Sequence, residues 1–537
     1  MKQSAADRQT SILAALVGGL LLAMTFLGAL ALGAQDNTER GAFILRARSD
    51  TLGIERFTRS ATRLQSSVFI KGGPRLEYVA ELGASNSVGA LELLQFAPNA
   101  KTDDAPAARV RVTFRGDSAF AEVNGAMQRI KSSAGALPGV NNAIALFEQF
   151  TRRARSAGAG EIPYFSLAGG MTLPVTVTTQ GADTVVMTGA GQPQRLRVDA
   201  AGRILGGMLP AQQIEIIRVS EAAAATLALG KPDYSAPSNA PYMAEEVTLK
   251  GPGGITLGGT LTIPRNPAGK VPAIVTITGS GQEDRDEYIP VAGGYRPFRQ
   301  IADTLGRRGI AVLRLDDRMV GASGGALGTS ADYADDIRAG IAYLKTRKDI
   351  DGTRIGLVGH SEGGIIAPIV AATDASLKGI VLLAGPAYRG DTIIRFQLRN
   401  NVNHDASVPA TAKDSVYRAQ LAAFEKSAQG SAWTKYFLTY DPIPTARRVK
   451  VPTLVLQGAT DQQVTPEQAE KLGAAVRAGG NRDVTVRVFP EMNHLFIHDP
   501  DGNPAGYVRL PSNKVMPDVL GALADWLVLK LGAKSSM

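Results

Sequence analysis

The stretch Ile355–Gly364 reads IGLVGHSEGG, an apolar run that ends in a serine between glycines. The run has the composition of a buried strand, and the small residues after it predict a tight turn into a helix. Within it, Gly359–Gly363 fits the pattern G-x-S-x-G, which between a strand and a helix presents a serine hydroxyl at the end of the strand. Flanking glycines remove side chains that would collide in such a strained turn. Ser361 is therefore the candidate nucleophile, and a plain glycine-rich turn is the alternative.

Five further apolar runs have the same character as the strand before Ser361. Segments of helical period separate most of them, such as residues 330–348, where Tyr333, Ile337 and Ile341 fall on one face. Continuous apolar strands that alternate with helices predict a mostly parallel sheet covered on both faces, and two earlier strands predict an antiparallel hairpin at its edge. The five runs occupy residues 273–279, 310–317, 379–385, 452–458 and 484–490, and the hairpin occupies residues 245–251 and 255–263.

A serine at neutral pH is a weak nucleophile, so Ser361 requires a general base. The chain has four histidines. His360 is inside the turn and is expected to point away from the nucleophile, whereas His404 lies in a polar stretch that resembles an insertion. His494 follows the last predicted strand and is the predicted base, with His498 as its rival.

The base in turn requires a carboxylate that orients its ring. Asp461 follows the strand at residues 452–458, in the loop GATDQQV, and is the predicted acid. The order Ser361, Asp461, His494 is the chain order of the α/β-hydrolase triad. Three roles at the ends of three strands, in that order, disfavour a plain glycine-rich turn.

Residues 244–532 resemble the bacterial α/β-hydrolases related to serine aminopeptidases and prolyl oligopeptidases, many of which are esterases. The resemblance implies that the backbone N–H groups of Ser280 and Glu362 form the oxyanion hole. Two positions depart from the family pattern, since Thr278 stands where a histidine often precedes the glycine and Met319 stands where glycine is usual. The matching stretches are GSGQEDRDE (279–287), LDDRMVGASGG (315–325), GHSEGG (359–364), GATDQQV (458–464) and MNH (492–494).

A long connection separates the strands at residues 379–385 and 452–458. Such a length predicts a functional cap, placed at residues 386–446. Its aromatic side chains are expected to form the core of the cap, with a substrate wall as the alternative. These aromatics are Phe396, Tyr417, Phe424, Trp433, Tyr436 and Phe437.

The charged segment 284–287 is expected to anchor a loop by ion pairs, with recognition of substrate charge as the alternative.

Residues 36–218 have the two-residue alternation of half-buried strands, interrupted by one predicted helix near Val140–Ala157. They contain no histidine and predict a β-rich accessory domain, an antiparallel sheet or half-barrel, with a ligand-binding or lid role as the alternative. Residues 219–242 are rich in Ala, Pro and Ser and predict a linker. The hydrolase domain is then expected at residues 243–537.

Residues 1–35 have the character of an export signal. Lys2 and Arg8 precede a long uncharged apolar run, with Ala29–Ala31 as a small-residue cleavage site. The run could also span a bilayer, which takes about 20 residues. The sequence is compatible with a cleaved signal peptide and with a retained membrane anchor. Either alternative predicts a periplasmic or secreted protein.

Composition restricts the partners and cofactors. The 58 Lys and Arg residues exceed the 49 Asp and Glu residues, but they are scattered, without the basic stripe that nucleic-acid binding needs. The absence of cysteine excludes disulfides, thiolate zinc sites and a cysteine nucleophile. No phosphate-loop or H-E-x-x-H motif suggests a cofactor or metal.

Together these features predict an exported serine hydrolase that needs no cofactor or metal. A helical cap covers its α/β-hydrolase fold, and a β-rich domain precedes it. Cleavage of small carboxylic esters is the leading prediction, and action on short peptides is the alternative. A non-catalytic binding protein on a hydrolase scaffold is a third hypothesis, which the order of the triad disfavours.

Overall fold

The computed structural model describes most of the chain, which divides into two compact units, Met1–Lys231 and Pro232–Met537. The predicted export signal at residues 1–35 lies outside the described residues. Within the described part, no helix has the length and apolar character needed to cross a bilayer. The described residues are 38–533, without residues 48–49, 99, 102, 124–125, 168–169, 190–191, 211–212, 228, 230–231, 266, 268, 406–407 and 429–430.

The first unit consists of strands with two helices among its described residues. The helices are α1 (Ile144–Ala157) and α2 (Glu221–Ala225). The strands are β1 (Glu39–Ala47), β2 (Asp50–Arg59), β3 (Arg63–Ile70), β4 (Arg75–Gly83), β5 (Ser87–Phe96), β6 (Ala108–Arg115), β7 (Ser118–Val123), β8 (Ala126–Lys131), β9 (Leu137–Gly139), β10 (Gly160–Ser166), β11 (Met171–Gln180), β12 (Thr184–Gly189), β13 (Gln192–Val198), β14 (Ile204–Leu209) and β15 (Ile214–Val219).

These strands form one sheet in the order β8-β7-β6-β5-β4-β3-β2-β1-β15-β14-β13-β12-β11-β10-β9. Neighbours in the sheet pair antiparallel, apart from the parallel pair β9 and β10, so the predicted antiparallel sheet is confirmed. The first and last strands meet mid-sheet, where Ala42 pairs with Val219. Helix α1 buries Leu146 and Phe150 in the core, and it begins four residues later than predicted.

The second unit contains an eight-stranded sheet and helices α3–α11. The strands are β16 (Tyr242–Lys250), β17 (Thr256–Pro264), β18 (Val271–Ile277), β19 (Ala311–Leu315), β20 (Ile350–His360), β21 (Gly379–Leu383), β22 (Thr453–Gly458) and β23 (Val484–Phe489). The helices are α3 (Pro297–Arg307), α4 (Ser330–Thr346), α5 (Gly363–Ala371), α6 (Gly390–His404), α7 (Lys413–Ala428), α8 (Ala432–Thr439), α9 (Pro442–Ala446), α10 (Glu467–Ala478) and α11 (Pro517–Leu531).

The sheet has the order β16-β17-β19-β18-β20-β21-β22-β23. Strands β18–β23 are parallel, and the hairpin β16–β17 lies antiparallel at the edge, as predicted. Successive residues face opposite sides, so Val275 packs in a core with α4 and α5, while Ile274 packs in a second core with α3 and α11. This two-sided burial explains why the strands are continuously apolar. The α/β-hydrolase fold is confirmed.

Helices α6–α9 connect β21 to β22 over the segment predicted as a cap. Gly390 begins α6, and a Cβ at this position would collide with the ring and backbone of Phe437 in α8. Phe437 is buried, so the close approach of the two helices forms part of the cap core. The segment is therefore a folded helical layer.

Candidate active site

Ser361 lies in the turn between β20 and α5 with left-handed backbone geometry, at a φ of +53°. A Cβ on Gly359 would collide with the backbone of Gly363, and one on Gly363 would collide with the carbonyl oxygen of Ile277. The Ser361 amide donates to the carbonyl of Leu383 over 2.9 Å. The glycines therefore permit a tight turn that holds Ser361 in this strained backbone conformation.

His494 and Asp461 form a hydrogen bond at the ends of β23 and β22. His494 Nδ1 lies 2.8 Å from Asp461 Oδ2, and both side chains are buried. The same Oδ2 accepts a bond from Gln457 Nε2 over 2.8 Å. Oδ1 accepts from the backbone N–H groups of Gln463 and Val464 over 2.7 and 2.9 Å. These three donors hold the Asp461 carboxylate in one orientation. In that orientation Oδ2 is positioned to accept the imidazole N–H of His494.

A cavity of about 370 Å³ brings the predicted site residues together. Its wall contains Ser361, His494, Ser280 and Glu362, whereas Asp461 lies behind His494 and does not line it. The exposed His498 instead pairs with Glu491 over 3.4 Å. The other wall residues are Gly279, Glu283, Glu287, Ile289, Val291, His360, Pro386, Ile393, Ile394, Gln397, Trp433, Phe437, Gln463, Val464, Leu495, Pro504 and Tyr507.

Ser280 and Glu362, the predicted oxyanion donors, lie on two different loops of the cavity wall. Ser280 follows β18, and Glu362 is the N-cap residue of α5, where backbone N–H groups are free to bind an oxyanion. The Glu362 carboxyl accepts bonds from the hydroxyls of Ser280 and Ser330, and from the indole of Trp433 over 2.9 Å. Burial nevertheless raises the pKa of Glu362. Its side chain thus joins the loop after β18 to the cap.

Carboxyl groups dominate the charge of the cavity wall. Glu283, Glu287 and Glu362 line it, and none of its described lining residues is Lys or Arg. Burial, together with the charges of Glu287 and Asp317, raises the pKa of Glu283 well above its usual range. Burial also raises the pKa of Asp317 to about 8, although its Oδ2 accepts from the Glu283 N–H over 3.0 Å. Such shifts are typical of carboxyl groups buried without a cationic partner.

No group of three or more His, Asp or Glu side chains in the described part of the chain is arranged to hold a metal ion.

His360, expected to point away from the nucleophile, is part of the cavity wall. Its ring lines the cavity with its centroid 4.9 Å from that of His494. His360 Nε2 lies 3.0 Å from the His494 carbonyl oxygen, and Nδ1 contacts Glu287. The surroundings of the His360 side chain depend on how the loop after β23 approaches the serine turn. A local sequence motif cannot predict that approach. The partner Glu287, in the charged segment 284–287, lies 73 residues earlier in the chain.

The charged segment 284–287 is anchored by ion pairs. Arg285 donates to both oxygens of Asp316 over 3.0 and 2.7 Å, and Asp286 pairs with Arg314. These groups are buried, so the pairing holds the loop after β18 against β19. Glu287, at the end of the segment, lines the cavity instead.

The two departures from the family pattern have local explanations. Thr278 donates its hydroxyl to Asp317 over 2.9 Å, which ties the start of the loop after β18 to the loop after β19. Met319 has a φ of +65°, a conformation that glycine adopts without strain. The backbone at this position therefore keeps the geometry that the usual glycine would take.

Two of the predicted cap aromatics line the cavity. Trp433 and Phe437 stack with ring centroids 5.3 Å apart and planes within 8°. Tyr436 stacks instead on Tyr440, and Phe396 is exposed. The cap therefore supplies a flat aromatic pair to the site, and the remaining aromatics lie outside the wall.

Comparisons with known proteins concern the second unit. Residues 275–509 match the model of the family described as "Alpha/beta hydrolase family". Esterase EstD of Thermotoga maritima is 29% identical over 307 residues, which cover 55% of this chain and 70% of that protein. Dipeptidyl aminopeptidase BIII of Pseudoxanthomonas mexicana is 26% identical over 271 residues, which cover 47% of this chain and 35% of that protein.

Among solved structures, the Pyrococcus furiosus esterase Pf2001 is similar with a TM-score of 0.37 and 18% identity, covering 54% of this chain and 90% of that one. The family match begins within β18 and spans β19–β23, with the serine turn and both loops that carry Asp461 and His494. The sheet order is the one that this fold requires. The chain is thus similar to the α/β-hydrolase family, through residues 275–509 of its second unit, and to esterase EstD.

Proposed function

We propose that the chain is an exported serine hydrolase that cleaves carboxylic esters through an acyl-enzyme on Ser361. The observation that carries the proposal is the 2.8 Å hydrogen bond between His494 and Asp461 at a cavity whose wall contains Ser361. A nucleophile in a strained turn, a base and an orienting carboxylate at three strand ends form the set that acyl transfer requires.

Each residue has a defined role in this mechanism. His494 takes the proton of Ser361 as the hydroxyl attacks the ester carbonyl, and Asp461 stabilises the imidazolium that results. The N–H groups of Ser280 and Glu362 hold the oxyanion of the tetrahedral intermediate. His494 then returns the proton to the departing alcohol, and water releases the acyl group by the same steps. The chemistry needs only these side chains and backbone groups.

Cleavage of short peptides is the second candidate function, and the charge of the cavity favours it. Three glutamates line the wall without a described Lys or Arg, which suits a substrate that carries an ammonium group. One relative is named as a dipeptidyl aminopeptidase. Ester cleavage remains the first candidate because the relative with the higher identity is named as an esterase.

Export is proposed from the sequence of residues 1–35 alone. Expression of the full chain in a bacterium, followed by fractionation, should place the protein outside the cytoplasm, and removal of residues 1–35 should retain it inside. The mass of the exported chain distinguishes cleavage from anchoring. Full-length protein found only in the cytoplasmic fraction would contradict the proposal.

The two activities are separated by one substrate panel. The purified protein is assayed against p-nitrophenyl esters of increasing acyl length and against aminoacyl and dipeptidyl p-nitroanilides, with Ser361→Ala as the control. Turnover of esters with little cleavage of anilides supports the esterase, and the reverse ranking supports the peptidase. Turnover that persists in Ser361→Ala, or no turnover of either class, would contradict both.

A further inference from the structure

We propose that His360 is a positioning residue that holds the main chain of the general base, so that the His494 ring stays aligned with Ser361. The inference rests on the proposed function, because it requires His494 to act as the base. His360 occupies the second position of the G-x-S-x-G turn, directly before the nucleophile. One side chain therefore links the two loops that must meet for proton transfer.

The hydrogen bonds of His360 determine where its protons are. Its Nε2 lies 3.0 Å from the His494 carbonyl oxygen, which can only accept, so Nε2 carries a hydrogen and donates it. Its Nδ1 contacts Oε1 of Glu287. The His360 side chain is 4% exposed. Rotation of the imidazole would break both hydrogen bonds and leave buried polar groups unpaired, which is costly.

Glu287 and His360 form a pair with no net charge. Either an imidazolium faces a carboxylate, or a neutral imidazole faces a carboxylic acid. Burial lowers the pKa of His360, but the Glu287 charge and hydrogen bond raise it by more, which favours the ion pair. The other charged or titratable groups near this pair are His494, Asp461, Glu283 and Tyr295. Because the pair is neutral, it does not oppose the positive charge that His494 acquires during catalysis.

The general base is thus held at two points. Asp461 holds its ring at Nδ1 over 2.8 Å, and His360 holds its peptide. The next carbonyl along, that of Leu495, accepts a bond from the hydroxyl of Tyr295. Loss of the His360 contact would free the peptide to shift, and a displacement of about 1 Å at a catalytic group costs on the order of 10²-fold in rate.

The test compares two amide side chains of different reach. In His360→Gln, the amide extends to the position of Nε2 and can still donate to the His494 carbonyl. In His360→Asn, the side chain is one methylene shorter and cannot reach it. His498→Gln is the matched control, since His498 is on the same loop, is exposed and pairs with Glu491 outside the cavity. Thermal unfolding of each variant establishes that it is folded.

We expect His360→Asn to lower kcat for a small p-nitrophenyl ester by about 10²-fold, with KM nearly unchanged. We expect kcat of His360→Gln to be at least tenfold higher than that of His360→Asn. The rate of fluorophosphonate labelling should fall and recover in parallel. Equal kcat in the two variants, or a change confined to KM, would overturn the role of His360. Wild-type protein that neither turns over esters nor labels would instead overturn the proposed function.

Discussion

His494 and His498 lie on one loop and have different surroundings. The His494 side chain is 5% exposed and bonds to Asp461, whereas the His498 side chain is 52% exposed and pairs with Glu491. An exposed pair of this kind contributes little to stability or to the orientation of a ring. The buried hydrogen bond, by contrast, fixes the tautomer that leaves His494 Nε2 free to accept a proton.

Substitution of these two histidines should therefore have unequal effects. We expect His494→Ala to lower kcat on the order of 10⁴-fold or more, as removal of a triad member does. His498→Ala should keep most of the activity, because its side chain lies outside the cavity wall. Steady-state kinetics on one p-nitrophenyl ester measures both. The opposite ranking would show that the base is His498.

At the scale of elements, the loops after β18 and β19 meet through one buried carboxyl group. Asp317 accepts the hydroxyl of Thr278 over 2.9 Å and the N–H of Glu283 over 3.0 Å. Burial raises its pKa from 3.8 to about 8. The folded state thus binds the Asp317 proton more tightly than the unfolded state, so this contribution to stability is complete below about pH 4 and is lost as pH rises through about 8.

The substitution Asp317→Asn should remove the pH dependence of stability that Asp317 contributes. In Asp317→Asn, the amide can donate to Thr278 while its carbonyl accepts from Glu283, as the protonated carboxyl does. We expect the melting temperatures of variant and wild type to agree near pH 4 and the variant to become the more stable as pH rises towards 9. Parallel thermal unfolding curves across this range test the prediction. A difference in melting temperature between variant and wild type that does not widen with pH would contradict the prediction.

The elements around the cavity should also discriminate by substrate charge. An ester with a free carboxylate meets a wall that contains Glu283 and Glu362, besides Glu287, whose charge His360 balances. Unit charges 4 Å apart near a protein surface repel by about 4 kcal/mol before screening. We expect p-nitrophenyl hydrogen glutarate to have at least tenfold lower kcat/KM than its neutral methyl ester. Burial raises the pKa of Glu283 and Glu362, so both groups ionise as pH rises. The ratio of kcat/KM for the methyl ester to kcat/KM for the hydrogen glutarate should therefore grow with pH.

Glu283→Gln serves as the control for this prediction. It removes a wall charge while its side-chain oxygen can still accept the N–H of Gly279, which the carboxylate now accepts over 3.0 Å. The variant should narrow the difference between the two esters. Equal kcat/KM for both esters in the wild type would show that the glutamates do not face the substrate.

At the scale of the whole molecule, periodicity and chain order predict the sheet well. Strands β18–β23 lie where the apolar runs are, because a strand buried on both faces must be apolar throughout. The bond between Asp461 and His494 follows from their positions after adjacent strands. The place of His360 and the grouping of Glu283, Glu287 and Asp317 depend on how separate loops approach each other, and no local pattern reports that.

The segment between the two units has contacts at both ends, each within its own unit. The carbonyl of Ala224 in α2 accepts a bond from Arg56 over 2.9 Å in the first unit. In the second unit, Tyr234 donates to Asp284 over 3.0 Å, and the Arg285 guanidinium lies 4.2 Å from its ring. The predicted linker at residues 219–242 is thus paired near its start within the first unit and, at Tyr234, within the second unit.

Limited proteolysis should cut within the predicted linker at residues 219–242 and release two fragments. The C-terminal fragment contains the proposed triad, both proposed oxyanion donors and the cap, so we expect it to keep activity on a small soluble ester. Mass spectrometry locates the cut, and thermal unfolding shows whether the fragment is folded. A fragment that unfolds cooperatively but hydrolyses no ester would contradict the accessory role of the β-rich unit.

The most direct test of the account is the identity of the serine that reacts. A fluorophosphonate probe is added to the wild type and to Ser361→Ala, and the modified residue is located by mass spectrometry of peptides. The account predicts one adduct, on Ser361, that blocks ester turnover in proportion to labelling, and neither adduct nor turnover in Ser361→Ala. An adduct on another serine, or ester turnover that survives in Ser361→Ala, would contradict it.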